Sequence, residues 1–222
     1  MSRIAMEKIG LLADAGKPKR LLALGAHSDD IEIGCGGTIL RLCEERPQLE
    51  VLWVVFAATT ARAAEARASA GAFLKGVARS TVVVRDYRDG FLPYSGAAVK
   101  DEFEKLKQEF SPDLIFTHYR GDRHQDHRMV SDLTWNTWRD HLVLEYEIPK
   151  YDGDFGSPNF FASLTASALE RKIDLLAKHF PSQAAKPWFT ADLFKAVARI
   201  RGMECTAPEG FAEAFYCRKA LI

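Results

Sequence analysis

No apolar run in this 222-residue chain approaches the roughly 18 residues that a membrane-spanning helix needs, so a spanning segment is not expected. There is no excess of either charge: 30 Lys plus Arg balance 30 Asp plus Glu. A protein built mainly to hold nucleic acid would carry a basic surplus, which disfavours that partner. Cysteine is scarce, with Cys35, Cys43, Cys205 and Cys217 scattered and no Cys-x-x-Cys pair. That spacing excludes a disulfide framework and a cysteine-ligated zinc, and fits buried thiols in a reducing compartment. The opening MSRIAMEKIGLLADAGKPKR lacks the long apolar block and small-residue cleavage site of a secretory leader. Its Ile4, Ile9, Leu11 and Leu12 read instead as a short amphipathic helix, and a cytoplasmic protein is the expectation. Internal repeats, low-complexity segments and an interdomain linker are also missing, so a single domain over residues 1–222 is expected.

What the sequence does contain is alternation. Short apolar runs at Arg20–Gly25, Leu49–Phe56, Thr81–Val84 and Asp113–Thr117 read as buried strands. Helical segments are expected between them, at Gly36–Glu45, Ala61–Lys75 and Asp101–Phe110. Leu142–Ile148 reads as a fifth strand, Pro149–Pro158 as a surface loop, Ala166–Phe180 and Thr190–Met203 as helices, and Phe211–Tyr216 as a last strand. Strands and helices in this order imply βαβ units: an α/β, Rossmann-like three-layer sandwich with a mainly parallel sheet.

Reactive side chains concentrate in two places, His27-Ser-Asp29-Asp30 and Thr117-His118-Tyr-Arg-Gly-Asp122-Arg-His124-Gln-Asp126-His127. Each follows an expected parallel strand, and the carboxyl ends of such strands line one edge of the sheet, where ligands bind. Two loops far apart in sequence can therefore share one crevice. Gly34-Cys-Gly-Gly37 invites a phosphate-loop reading, but the glycines lack the Gly-x-Gly-x-x-Gly order and follow an acidic cluster that would repel phosphate. A methyltransferase-like or nucleotide-binding module is the surviving form of that idea. Otherwise the glycines serve a tight turn and close helix–strand packing.

A metal fits the residue types better. Catalytic zinc takes three His or carboxylate ligands and leaves a position open. His27, Asp30 and His127 supply that number and kind. Asp29 is the natural proton acceptor for a metal-activated water, and His124 could donate to an oxyanion or leaving group with Asp126 fixing its tautomer. His118, His141 and His179 read as structural or surface histidines, and Asp122 and Arg123 as a solvated turn. Tyr146, Tyr151 and Trp135 could stack on the ring of a ligand, although buried packing is the commoner role of such side chains.

Ala26-His27-Ser28-Asp29-Asp30 followed by Gly36-Gly37, with His124-Gln125-Asp126-His127 about a hundred residues on, resembles the PIG-L (LmbE-like) family of zinc-dependent N-deacetylases acting on N-acetylglucosaminyl conjugates. The likeness runs from about Leu21 to Arg128. It implies zinc on His27, Asp30 and His127, Asp29 as general base, His124 at the oxyanion with Asp126 behind it, and Arg62 and Asp89 against the sugar. It also implies a small-molecule amino-sugar conjugate as partner. A zinc amidase working on a non-sugar amide or thiol conjugate is the neighbouring alternative. The chain departs from the family where Ser28 replaces the usual proline and Ile31 a common glutamate. Oligomeric state is not written in the sequence, and a homo-oligomer stays open.

Overall fold

The computed structural model describes residues 19–221. The amphipathic segment expected around Ile4–Leu12 lies outside the described residues. Seven strands form one sheet: β1 (Arg20–Gly25), β2 (Glu50–Val55), β3 (Arg79–Val84), β4 (Leu114–His118), β5 (Leu142–Tyr146), β6 (Phe160–Leu164) and β7 (Phe211–Cys217). Their order is β3-β2-β1-β4-β5-β7-β6. From β3 to β5 every pairing is parallel, whereas β7 runs antiparallel to both β5 and β6. The α/β architecture with a mostly parallel sheet matches the expectation from alternation.

The strands read as unbroken apolar runs because both faces of the sheet are covered. Along β1, Leu21 and Ala23 face one core and Leu22 and Leu24 the other. The first core takes in Trp53, Phe73, Phe116 and Leu144 under α1 (Asp30–Glu45), α2 (Thr60–Phe73), α5 (Ala166–His179) and α6 (Ala191–Glu204). The second holds Phe56, Phe103, Ile115 and Val143 under α3 (Gly96–Glu109) and α4 (Gln125–Thr137). With α1 and α2 on one face and α3 and α4 on the other, the chain reverses direction between β1 and β4. That is the topological switch point, where the ends of adjacent strands diverge and leave a crevice.

Three elements differ from expectation. Helix α1 begins at Asp30, six positions before the expected Gly36, so the glycines lie inside it rather than in a turn ahead of it. They let α1 approach its neighbours: a Cβ on Gly34 would sit 2.1 Å from the Tyr146 ring, and one on Gly36 2.7 Å from Phe73. Helix α4 was not expected, because its first turn carries the reactive residues and its apolar positions are sparse. Strand β6 sits at the sheet edge, half covered, between the expected loop that ends at Pro158 and the expected helix from Ala166, where no element was read. Tyr146 is wholly buried, its hydroxyl donating to Leu24 O at 2.6 Å, so it is a core residue and not a sugar platform. Trp135 likewise donates its indole N–H to Glu145 Oε1 at 2.5 Å and packs under Arg218.

Candidate metal centre and active site

Both reactive stretches end at the switch point, β1 delivering His27–Asp30 and β4 delivering His118–His127. The tight turn after β1 is held by Asp30, whose Oδ2 accepts the His27 N–H at 2.6 Å, and Asp29 stands at the N-cap of α1. Carboxylates in a first helical turn are favoured by the positive end of the helix dipole. His124 caps α4, with the backbone N–H of Asp126 donating to its Nδ1 at 3.2 Å.

His27 Nδ1, Asp30 Oδ2 and His127 Nε2 converge. The His27–His127 separation is 3.1 Å, His27–Asp30 3.3 Å and His127–Asp30 3.5 Å. Ligand atoms about 2.0–2.1 Å from one zinc at tetrahedral angles lie roughly 3.3 Å apart, so this triangle fits one face of a zinc tetrahedron. Looser sets of donors, His27–His124–His127 and Asp30–His118–His127, each fall within 4.8 Å. They are poorer sets, because His124 Nδ1 and His118 Nε2 already accept backbone N–H groups, from Asp126 and Ala26.

The electrostatics favour a cation at this point. Burial works against a charged His27, but Asp30, then hydrogen bonds to Asp126, Asp30 and Asp89, lift its pKa well above the usual histidine value. His127 is the reverse: burial and the neighbouring His118 hold it down to about 4, which leaves it neutral with a free lone pair. Its Nδ1 lies 2.9 Å from Asp122 Oδ2, and an ionised carboxylate only accepts, so the ring proton sits on Nδ1 and Nε2 is open for a metal. Burial pushes the Asp122 carboxyl up, yet the His127 hydrogen bond and the charges of His127, His118 and Lys150 outweigh it and keep it well below the carboxylate range. Asp122 is thus buried and structural to the site, not the solvated turn residue expected.

The adjacent aspartates are driven apart. Burial raises both, but His127, His118 and His27 pull Asp30 well below its ordinary pKa, whereas Asp29 stays raised because only Arg62 and His27 oppose its burial. One is a permanent anion suited to ligation and the other a proton acceptor, the pattern by which paired carboxylates divide acid–base work. Asp29 Oδ1 is held by Arg62 Nη2 at 2.5 Å, while its Oδ2 is buried with no partner. Asp29 adjoins Asp30 in the chain and its charge acts on both Asp30 and His27, so its carboxylate belongs to the same cluster with one oxygen free to accept. His124 is lowered by burial and by His27, and because its Nδ1 accepts, its proton sits on Nε2 as a donor.

Arg62 and Asp89 both reach the site, Asp89 Oδ1 lying 3.1 Å from His27 Nε2 with its side chain two-thirds exposed. Asp126 differs from expectation. Its carboxylate does not back His124; it accepts the backbone N–H groups of Gly90 at 2.7 Å and Leu92 at 3.1 Å and lies 3.2 Å from His27 Nε2. His118, read as a bystander, is fully buried, stacked 4.0 Å from His127 and 3.2 Å from Asp30 Oδ2, with its Nδ1 unpartnered. Its place at the end of β4 was the signal available. Glu32 lies beneath the turn facing Ser69 without a well-formed hydrogen bond, and burial pushes its carboxyl well above the usual range.

A doubly covered, mostly parallel sheet with a buried His–Asp cluster at its switch point defines an α/β protein with a candidate metal site at the carboxyl edge of its strands. The model of the family described as GlcNAc-PI de-N-acetylase, PIG-L, matches residues 22–138, and the chain belongs to this family of hydrolytic N-deacetylases. It is 27% identical over 184 residues to YaiS of Escherichia coli (strain K12), described as an uncharacterized deacetylase, covering 78% of this chain and 99% of that protein. Its fold is similar to that of N,N'-diacetylchitobiose deacetylase from Pyrococcus horikoshii, with TM-score 0.70, 22% identity, and 93% and 88% of the two chains covered. It is equally similar to GalB, the 4-carboxy-2-hydroxymuconate hydratase of Pseudomonas putida KT2440, with TM-score 0.71, 16% identity, and 92% and 98% covered. At these identities the structural likeness is one of fold, so the reaction has to be argued from the site. Among the described residues no helix is long and apolar enough to cross a membrane.

Proposed function

We infer that this protein is a zinc-dependent hydrolase that removes an N-acetyl or small N-acyl group from an amino-sugar conjugate. The observation that carries the reading is the triangle of His27 Nδ1, Asp30 Oδ2 and His127 Nε2 beside the unpartnered Oδ2 of Asp29. His27, Asp30 and His127 would hold the ion, which when bound polarises the amide carbonyl and lowers the pKa of a water towards about 7. Asp29 Oδ2 takes the proton of the attacking water, with Arg62 fixing the other oxygen of the carboxylate. His124 donates from Nε2 to the oxygen that gains charge as the amide carbon becomes tetrahedral. The proton held by Asp29 then passes to the leaving amine. Asp126 keeps the 90–92 backbone and His27 in register, and Asp89 and Arg62 are placed to meet sugar hydroxyls.

Mass spectrometry of released acetate and free amine tests this across N-acetylated sugar conjugates, with non-sugar amides alongside. The expected result is hydrolysis of the sugar conjugates, loss of activity with chelator and recovery with zinc. Turnover that chelator leaves untouched would overturn the metal reading; hydrolysis of the non-sugar amides alone would overturn the substrate class. The family membership, the donor geometry and the split acidity of Asp29 and Asp30 all support hydrolysis over the nucleotide-binding alternative. The glycines that suggested the latter are occupied in packing against Tyr146 and Phe73.

A further inference from the structure

Lys150 lies in the loop that follows β5, on the same sheet edge as the site, and its side chain is only 10% exposed. Its ammonium donates to Asp122 Oδ2 at 2.9 Å and to Asp154 Oδ1 at 2.6 Å. The Asp122 oxygen it reaches is the one that accepts from His127 Nδ1. Asp154, half-buried like Lys150, accepts the backbone N–H of Arg123 at 2.7 Å from the histidine-bearing loop. The first part of the loop after β5 is thus fastened to both sides of Asp122. Its second part is fastened elsewhere: Gly156 N–H donates to Glu147 Oε1 at 3.2 Å and Gly156 O accepts from Arg201. Between the fastenings the loop presents Tyr151 and Phe155 to solvent, 75% and 44% exposed.

We propose that Lys150 is a positioning residue that ties the 150–154 segment to the metal-holding face through Asp122, so that metal loading and order of this loop are linked. The inference rests on the metal reading above. Its physical basis is that two carboxylates, buried Asp122 and half-buried Asp154, are held together by one ammonium. Without Lys150 they repel and the segment lets go; Asp122 keeps the His124 N–H on Oδ1 but loses the ammonium on Oδ2, the oxygen that faces His127. Carboxylates behind a ligating histidine commonly govern metal affinity by about 10- to 100-fold, and linkage makes the effect reciprocal. A zinc ion that fixes His127 therefore fixes Asp122, Lys150 and the segment in turn.

The test uses the full chain stripped with chelator, with zinc as the probe. Zinc affinity by competition with a chromophoric chelator, and hydrogen exchange across 149–158, are measured for wild type, Lys150→Met, Lys150→Arg and His127→Ala. Wild type should gain protection at 150–154 on zinc addition. Lys150→Met should lose that gain and bind zinc about tenfold more weakly. Lys150→Arg should restore both, and the Gly156 amide should stay protected throughout, which separates a released segment from general unfolding. Equal zinc affinity in Lys150→Met and wild type, or wild-type protection at 150–154 indifferent to zinc, would overturn the proposal while leaving the zinc site intact. A wild type that binds zinc no better than His127→Ala would bring down the metal reading itself, and this inference with it.

Discussion

Helix α1 separates two buried clusters of charge, and they are satisfied in opposite ways. On the side away from the site, Glu213 accepts from the backbone N–H groups of Gly37 and Thr38, from the Thr38 hydroxyl and from Lys172 Nζ, all within 2.9 Å. Lys172 also donates to Ile33 O, and nearby Arg201 pairs with Glu147 at 2.8 Å. At the switch point, by contrast, like groups abut: Asp29 lies beside Asp30, His118 stacks on His127, and Asp29 Oδ2 and His118 Nδ1 are left without partners. Buried charge that is fully paired holds structure together, whereas buried charge left in want of a partner is chemistry waiting for a ligand.

The sharpest way to break this comparison is to remove one carboxylate from each cluster. Asp29→Ala should cost turnover by about 10²–10⁴-fold while zinc stays bound and the midpoint of unfolding does not fall. Acetate release and elemental analysis check it; full activity would remove Asp29 from the mechanism. Glu213→Ala should do the opposite, destabilising the fold by about 3–5 kcal/mol because Lys172 and two helix N–H groups lose their acceptor, with zinc uptake of the folded fraction unchanged. Urea unfolding followed by circular dichroism gives that number.

Acidity sharpens the contrast further. In chelator-treated protein, His127 is held down to about 4 by burial and His118, and His124 is lowered in the same sense by burial and His27. At these two histidines the unfolded chain binds more protons than the folded one between about 6.5 and 4, so their contribution to stability is complete above 6.5 and drains as pH falls through that window. His27, whose pKa is raised, acts in the other direction, but its contribution is already complete below about 6.5 and is lost only as pH rises. Burial raises the carboxyls of Glu32 and Asp29, which works against this loss over part of the same window, so the check is a comparison: the thermal midpoint of wild type should fall further from pH 7 to 4 than that of His127→Gln, and equal falls would show that His127 is not buried neutral. The smallest effect is expected at the seam: Gly34→Ala drives a methyl into the Tyr146 ring and should cost about 1–3 kcal/mol, read by the same urea titration.

The strands were legible because a parallel strand buried on both faces has to be apolar throughout, as Leu21–Leu24 and Val51–Val55 are. Where covering is incomplete the signal fades, as in β6, whose Phe160, Phe161 and Ser163 are only partly covered. The start of α1 was misplaced because Gly34, Gly36 and Gly37 look like turn residues in one dimension; only the rings opposite them explain why side chains are absent. At the site, the reactive residues announced themselves by type and clustering, but their partners did not. Asp122 meets His127 across a non-helical turn, Lys150 arrives from the loop after β5, and Asp126 bonds to a backbone that sequence does not display. Residue identity carries the chemistry of a ligand, and only the fold assigns it an orienting neighbour.

The grip of Asp126 on Gly90 and Leu92 has a consequence for how this enzyme could diversify. The carboxylate holds the loop after β3 by its backbone, so the side chains that loop displays outward, Phe91 and Tyr94 among them, take no part in the attachment. Those positions can change while the loop stays tied to the carboxylate that also meets His27.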